Sequence, residues 1–415
     1  MAIKITKNKT IVLPIENDIY EDFLKEKSVA HEIIQDIYES EPDFFPMEMK
    51  KFGYSLNGFT RTSKKQDDFK MRQLLINDTT YRIRPSFMLS YCRGLVSEAS
   101  DGLFLKRFGV PYWALEEVFG QDKMWWYRLY ISIAKHEIVG TTVYEAEDLP
   151  EDLIADEHHI RVKGKKKYVA TTVGGNCFLG MAVCDGADEK SLLSGYEDFK
   201  NEACLIEEGY IPNSINTDGW MATQNAWKKM FPTIQVIECF LHAFLKVRDR
   251  ATKKMEEFFQ TAADKIWDAY RAESKRQLAQ QIRRLREWAS TKLEDSPMKQ
   301  NILKLCSKKA RWMKHFDFKN AHRTSNMLDR LMRSMKRHKF NAQMFHSTTK
   351  VTTDNFRSFA LIYNFSPYSP SARKENKELR SPADKLNKRK FADNWLENLF
   401  LAANRAKFKY HCNPI

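Results

Sequence analysis

The chain has 415 residues, of which 43% are hydrophobic and 13% aromatic, so it can bury cores in two or three domains. No run reaches the 18 or more apolar residues of a membrane span, and the first 18 residues contain no apolar core of signal-peptide length. The seven cysteines never show C-x2-C spacing, which argues against a disulfide framework or a four-cysteine zinc site. We therefore expect a globular protein of the cell interior.

The net charge of +14 is concentrated in one part of the chain. Residues 243 to 350 contain 27 Lys and Arg against 11 Asp and Glu, a local excess of 16. A basic block of this size predicts a polyanion partner, most simply the phosphates of DNA or RNA. A solvated helical surface is the alternative explanation.

The first 150 residues give two predictions. Residues 1 to 85, with a helix around 18 to 40 and a loop at 53 to 68, have no role that the sequence assigns. Residues 86 to 150 are predicted to be helical, with two apolar-periodic segments broken at Gly120 that are typical of a DNA-binding helix-turn-helix. Lys123 and Arg128 on the second segment are then candidate DNA contacts, although a helical bundle without a DNA role fits the same pattern.

From residue 151 the pattern changes to strands. Runs rich in Val, Ile, Thr and Tyr at 152 to 162, 166 to 175 and 177 to 186 predict an antiparallel meander. A helix, a strand, a helix and a strand are predicted in turn at 189 to 209, 214 to 219, 221 to 231 and 234 to 239. This order is that of the RNase H-like fold, in which later strands join the first by parallel crossovers.

The fold class predicted from this order is mixed α/β, with an RNase H-like catalytic core that an all-helical insertion interrupts. The predicted segments are the first part of the core at 151 to 250, a basic all-helical insertion at 251 to 318, the second part of the core at 319 to 375, and a C-terminal helical tail at 376 to 415. The N-terminal helical region would bind DNA.

A core of this kind gathers carboxylates from the first strand, the end of the fourth strand and a later helix, and Asp156, Asp218 and Asp329 occupy those places. Mg²⁺ prefers carboxylate oxygen, and two such ions can catalyse in-line displacement at phosphorus. Each acid alone has a simpler explanation: an ion pair with Arg161 for Asp156, a turn for Asp218, and an i,i+4 pair with Arg333 for Asp329. Their order on the predicted elements favours the metal site.

The helix that carries Asp329 is strongly basic. Arg323, Arg330, Arg333 and Arg337 are candidate contacts for a DNA backbone, which must approach a site whose own carboxylates repel it. His158 should face the same side of its strand as Asp156, because side chains alternate along a strand.

Cys239 and His242 lie three residues apart just after the strand at 234 to 239, so they face similar directions at the start of a helix. The spacing fits half of a zinc site, or a core cysteine beside a buried histidine.

The order of "ADEHH", "NTDGW", "CFLH" and "HRTSNMLDRLMRSMKRH", with a helical insert before the last, resembles the catalytic domain of prokaryotic insertion-sequence transposases of the DDE type. It is most similar to the Mutator-like group, which has a C-x2-H signature after the second aspartate. The resemblance covers roughly residues 100 to 400. It implies cleavage of element ends and strand transfer into target DNA, with Mg²⁺ as cofactor and Mn²⁺ able to substitute.

The resemblance also carries catalytic roles onto Asp156 and Asp218 and a supporting role in the active site onto Cys239 and His242. It implies terminal inverted repeats and target DNA as partners, and because two ends must be held together, we expect an active complex that is a homodimer or larger. With no apolar run long enough for a membrane, we expect a cytoplasmic, nucleoid-associated location in a prokaryotic cell. The third position of the family is usually glutamate, and here the matching helix offers Asp329, which is one methylene shorter. A structure-specific nuclease on the same fold and an inactive, transposase-derived DNA-binding protein are the alternatives.

Overall fold

The computed structural model describes residues 10–60, 69–90, 94–252, 255–318, 321, 326–342, 345–374 and 377–410, with side chains of the helix at 326–342 described only from 330 to 341. The fold is mixed α/β, as predicted, and it contains two mixed sheets, of which the N-terminal one was not predicted. None of the helices in these ranges is both long enough and apolar enough to span a membrane.

The N-terminal region forms a small sheet with helices against it. Its elements are β1 (Thr10–Leu13), α1 (Tyr20–Lys25), α2 (Lys27–Ser40), a 3₁₀ turn (Pro42–Phe44), α3 (Glu48–Phe52), β2 (Ser55–Phe59), β3 (Arg72–Ile76) and β4 (Thr79–Pro85). The strand order is β1-β4-β3-β2, with β1 parallel to β4 and the other pairs antiparallel.

Two predictions for this region are wrong. The single helix expected at 18 to 40 is two helices, because the backbone of Glu26 is extended between them. The loop expected at 53 to 68 begins with β2, which pairs with β3. The remainder of that predicted loop, from residue 61, lies outside the described residues.

Four helices follow: α4 (Val96–Arg107), α5 (Tyr112–Phe119), α6 (Lys123–Ile133) and α7 (Ile138–Thr142), with a 3₁₀ turn at Ala146–Asp148. The predicted break at Gly120 is confirmed, since this glycine ends α5 with a positive φ of 75°. An additional break separates α4 from α5. Trp126, Leu129 and Ile133 of α6 are buried in the core shared with the central sheet described next.

The central five-stranded sheet consists of β5 (Asp152–Val162), β6 (Lys165–Gly174), β7 (Cys177–Cys184), β8 (Ser214–Thr217) and β9 (Gln235–Glu238). Helices α8 (Glu189–Ile206) and α9 (Met221–Met230) connect its later strands. The order is β7-β6-β5-β8-β9, with β5, β6 and β7 antiparallel and β5, β8 and β9 parallel. The predicted meander and the two parallel strands after it are confirmed.

A helical unit follows β9, with α10 (Phe240–Arg248), α11 (Glu256–Tyr270), α12 (Lys275–Lys292), α13 (Pro297–Ser307), α14 (Lys309–Met313) and a 3₁₀ turn (Lys314–Asp317). It has its own apolar core, which includes Phe240, Leu285 and Trp312. The chain ends with α15 (Asn326–Ala342), α16 (Thr349–Phe365), a 3₁₀ turn (Pro370–Arg373), α17 (Pro382–Asn387) and α18 (Trp395–Tyr410).

The two faces of the central sheet bury different cores. Ile154 and Ile160 of β5 pack with α15, α16 and α6 on one face, whereas Leu153 and Ala155 pack with α8 and α9 on the other. Helix α18 joins the N-terminal sheet to this body, because the Asn404 amide accepts a hydrogen bond from the Val12 N–H (2.9 Å).

Asn364 of α16 is a buried polar anchor for β7. Its side-chain oxygen accepts a hydrogen bond from the Phe178 N–H (2.9 Å), and its Nδ2 donates to the Phe178 carbonyl (2.7 Å) and the Thr142 hydroxyl (2.9 Å). Those backbone groups lie where the β6–β7 register shifts.

We expect Asn364→Ala to lower the free energy of unfolding by about 2–5 kcal/mol, because it leaves two buried backbone groups unsatisfied. Asn301→Ala removes a single surface bond to the Lys246 carbonyl and should cost about 1 kcal/mol or less. Urea unfolding of both variants measures the difference. If both variants lost the same free energy of unfolding, the buried hydrogen bonds of Asn364 would contribute no more to stability than the surface bond of Asn301.

Candidate active site

The register of the three parallel strands brings Asp156 and Asp218 to the same level. Ile154 of β5 pairs with Asn216 of β8. Asp156 lies two residues after Ile154, and Asp218 lies two residues after Asn216. Adjacent strands are about 4.8 Å apart, and residues two apart share a face. The predicted proximity of these two carboxylates therefore follows from the sheet pairing itself.

Strand β9 continues the same row. Asn216 pairs with Ile237, and the ladder extends to Cys239, whose N–H donates to the Thr217 carbonyl (2.7 Å). Cys239 ends the strand and caps α10, which places His242 in the first turn of that helix. The four residues that the sequence selected from three separate motifs thus lie towards the same end of the parallel strands.

Neighbouring acids on β5 serve opposite faces. Glu157 accepts hydrogen bonds from the hydroxyls of Tyr196 in α8 (2.6 Å) and Thr223 in α9 (2.6 Å), on the face that α8 and α9 cover. Asp156 therefore faces the other side, with Ile154 and His158. Glu157 has a packing role, and Asp156 is the acid of the candidate site.

The surroundings of Asp156 disfavour the ionised form of its carboxyl group. Burial raises its pKa to about 7, the negative charges of Glu157 and Asp218 push in the same direction, and His242 opposes them. Near pH 7 this carboxyl group therefore gives up its proton only at a cost, which a nearby cation would offset.

His242 provides one such cation. Its hydrogen bond with Cys239 raises its pKa to about 9 against the opposing effect of burial, and Asp156 and Asp218 add to the rise. Within the described part of the chain, no hydrogen-bond partner reaches its buried Nδ1. The site thus contains an imidazolium next to two carboxylates, with one ring nitrogen still able to donate.

The loop that carries Asp218 is fixed from two directions. The Trp220 N–H donates to the Asp218 carboxylate (2.8 Å), so this residue also forms the turn that its simpler explanation predicted. Gly219 has a positive φ of 93°, and a Cβ added there would lie 3.7 Å from the Glu238 carboxylate. The buried Glu238 therefore lies directly beneath this loop.

Glu238 was missed by the sequence analysis. Its carboxylate forms ion pairs with Lys308 and Arg311 of the helical unit. Burial raises its pKa, but the hydrogen bonds and charges of Lys308 and Arg311 outweigh burial and lower the pKa below its ordinary value. These partners lie 70 and 73 residues further along the chain, so no local pattern could have revealed them.

Helix α15 crosses the face of the sheet that carries Asp156. Lys339 reaches β5, where its Nζ lies 3.1 Å from His158 Nε2 and 2.9 Å from the His159 carbonyl. Burial and the charges of Lys339 and Lys336 lower the pKa of His158 to about 4, so its neutral ring can accept this bond. His158 faces the same side as Asp156, as predicted.

The remaining predicted residues of α15 divide into two groups. Arg330, Arg333 and Arg337 are exposed on one side of the helix, opposite the buried Leu331 and Met335. The backbone of Asp329 belongs to α15, but its side chain and all of Arg323 lie outside the described residues.

Lys123 and Arg128 are exposed on α6, distant in sequence from the carboxylates. Asp122 caps this helix by accepting from the Met124 N–H (2.7 Å), and Glu116 of α5 accepts from the Lys123 N–H (3.3 Å). The two side chains are exposed, whereas Trp126, Leu129, Tyr130 and Ile133 of the same helix are buried.

No group of three or more His, Cys, Asp or Glu side chains able to hold a metal ion occurs among the residues that the structure describes. No second pair of metal ligands accompanies Cys239 and His242 in these ranges, and no disulfide joins the five described cysteines. The chain matches no known protein-family model and no curated protein sequence.

The raised pKa of Asp156 predicts a stability cost at high pH. The pKa of this carboxyl group rises from 3.8 to about 7 on folding, so the folded chain holds the proton more tightly than the unfolded chain. Its contribution to the free energy of unfolding is therefore complete below pH 3.8 and is lost as the pH rises through 7. We expect Asp156→Asn to be more stable than the natural chain at pH 8, by at most about 4 kcal/mol, and the gap to narrow towards pH 4.5.

Urea unfolding at pH 8, 6 and 4.5 measures this gap. Asp218→Asn is the matched variant, because it removes one of the charges that raise the pKa of Asp156 and should shift the transition to lower pH. A gap between Asp156→Asn and the natural chain that does not change with pH would contradict the assignment.

Proposed function

We propose that the chain is a DDE-type transposase that cleaves DNA at the ends of an insertion sequence and joins them to target DNA. The observation that carries this proposal is the pairing of β5 with β8, which directs Asp156 of β5 and Asp218, the residue that follows β8, towards each other, so that the charge of Asp218 acts on Asp156. Two separated carboxylates meeting at the centre of a sheet fit metal-dependent phosphoryl transfer.

The finer fold assignment belongs to the same proposal. The order β7-β6-β5-β8-β9, with three antiparallel strands followed by two parallel ones, is the order expected of an RNase H-like core. We assign α8, α9 and α15 to that core and α11 to α14 to its helical insertion. This assignment is supported by the separate apolar core of the helical unit and by its position between β9 and α15.

The donor set fits Mg²⁺, with Mn²⁺ able to substitute. Asp156 and Asp218 supply hard carboxylate oxygens, and the destabilised charge of Asp156 favours a cation beside it. Asp329, on the helix that packs across this face, is the proposed third ligand. When bound, two such ions activate the attacking oxygen and stabilise the leaving oxygen of an in-line displacement.

His242 and Cys239 support this site. The Cys239 side chain holds the imidazole by a hydrogen bond, and the raised pKa keeps the ring positively charged at neutral pH. A fixed positive charge beside the carboxylates offsets part of the repulsion between them and an approaching DNA phosphate. We therefore assign both residues a positioning and electrostatic role.

DNA is the proposed partner, as terminal inverted repeats and as target. The exposed Arg330, Arg333 and Arg337 on α15 provide a basic surface on the helix that covers the site, and Lys123 and Arg128 provide a second surface on α6. Because two element ends must be held together, we propose a homodimer or larger assembly that acts at the nucleoid of a prokaryotic cell.

The decisive experiment incubates purified protein and Mg²⁺ with DNA that carries the natural flanks of the reading frame. We expect cleavage at the flanks and joined products, and a loss of at least about 100-fold in Asp156→Ala, Asp218→Ala and Asp329→Ala, since even losing a group that only orients a metal ligand costs about 10–100-fold. Asp185→Ala is the control, because this exposed carboxylate pairs with Lys167 away from the site.

The outcomes separate the alternatives. Cleavage without joined products would favour a structure-specific nuclease. Tight DNA binding without cleavage would favour an inactive DNA-binding protein. Full activity of Asp329→Ala would remove this residue from the site and leave the first two assignments standing.

Metal binding can also be measured without DNA. Since a ligand that binds only the folded state stabilises it, by about 2.7 kcal/mol at 100 times its Kd, Mg²⁺ should raise the melting temperature of the natural chain. The rise should disappear in the Asp156→Asn/Asp218→Asn double variant and persist in Asp185→Asn. An equal rise in all three proteins would place the metal elsewhere.

A further inference from the structure

The helical unit contains a basic groove that is separate from the carboxylate site. The groove has a volume of about 470 Å³ and lies between α12 and the region where α13 gives way to α14. Four cationic side chains line it: Arg276, Arg283 and Arg286 from α12 and Lys309 from α14. All four are exposed to solvent at its rim.

Three of these side chains form a row. Arg276, Arg283 and Arg286 are separated by seven and three residues, so they share one side of α12. At 1.5 Å per residue, the row extends about 15 Å along the helix. It continues across the groove to Lys309, so both walls of the groove are positively charged.

Little in the groove compensates this charge. Its other lining side chains are uncharged: Ala279, Gln280, Ile282 and Cys306. The ion pair between Arg283 and Glu287, at 3.4 Å, is formed by two largely exposed side chains, and such pairs are weak. The four cations are thus available to an anionic partner.

We propose that this groove binds the sugar-phosphate backbone of duplex DNA. Phosphates recur every 3.4 Å of helix axis along each strand, so a row of about 15 Å meets several in succession. Arginine suits this role because its planar guanidinium donates two parallel hydrogen bonds to a phosphate. A flexible acidic protein segment offers negative charge without that regular spacing.

The inference goes beyond the proposed function, because it concerns equilibrium binding at a place remote in sequence from Asp156 and Asp218. One link between the two places is visible. Lys309 follows Lys308, whose ammonium group pairs with Glu238 one residue before Cys239. DNA held in the groove would therefore bind next to the contact that joins the helical unit to the central sheet.

The test measures binding of the full chain to a fluorescein-labelled 30-base-pair duplex of arbitrary sequence, in EDTA, between 50 and 300 mM KCl. The variants are Arg286→Gln and the double variant Arg283→Gln/Arg286→Gln. Arg284→Gln is the matched control, since Arg284 is exposed on the same helix but does not line the groove. Circular dichroism melting verifies that each variant is folded.

The binding constant K falls as salt rises, and each lost phosphate contact reduces the steepness of log K against log salt by about 0.9. We expect a decrease of about 1 for the single variant and about 2 for the double variant, with the double variant at least about tenfold weaker at 50 mM KCl, and the slope of Arg284→Gln unchanged. If the slope became less steep in Arg284→Gln by as much as in Arg286→Gln, the effect would be one of general charge, and the assignment of DNA binding to the groove would be wrong.

A labelled poly-glutamate peptide provides the second arm. If the double variant loses peptide binding but keeps the natural slope for duplex DNA, the groove serves an acidic protein and the inference is wrong. Because EDTA prevents metal-dependent cleavage, a failure here is distinct from a failure of the proposed catalysis.

Discussion

The parallel pairing of β5 with β8 is the interaction on which the rest of this structure depends. It fixes the level of Asp156 against Asp218, and through β9 it also fixes Cys239 and the start of α10. A slip of one residue would turn Asp156 to the face covered by α8 and α9, where Tyr196 and Thr223 are arranged to bond Glu157 instead. The cores on the two faces therefore specify which acid belongs to the site.

Placing two carboxylates side by side works against folding, and the surrounding structure offsets that cost. The sheet is buried on both faces by large apolar cores, and the charged His242 lies where it attracts both acids. Asp156 keeps a raised pKa despite this help. Strongly shifted pKa values are found most often in catalytic and binding sites. An unfavourable pair of carboxyl groups within an otherwise well-packed fold is therefore the pattern expected of a functional site.

The sequence predicted most of this sheet and only part of its surroundings. Strands β5 to β7 were predictable because turns at Gly164 and Gly175, both with positive φ, separate runs of β-branched residues. The N-terminal sheet was missed because β1 pairs with the distant β4 and because its core is completed by Leu401 and Phe408 from α18. Motifs located Asp156, Asp218, Cys239 and His242, but the ion pairs of Glu238 depend on tertiary contacts that no local pattern encodes.

Those ion pairs show how the helical unit is attached to the central sheet. Glu238 is buried at the end of β9, and losing either Lys308 or Arg311 would leave its charge poorly compensated in a low-dielectric setting. The same carboxylate lies beneath Gly219, next to Asp218, and is followed by Cys239. A shift of α14 relative to the sheet would therefore displace the carboxylate of Glu238, which lies beneath the loop of Asp218 and precedes Cys239. The ion pairs of Glu238 and the packing of the Phe240 ring against Trp312 link the helical unit to the end of β9, and α10 carries His242 of the site directly into the unit.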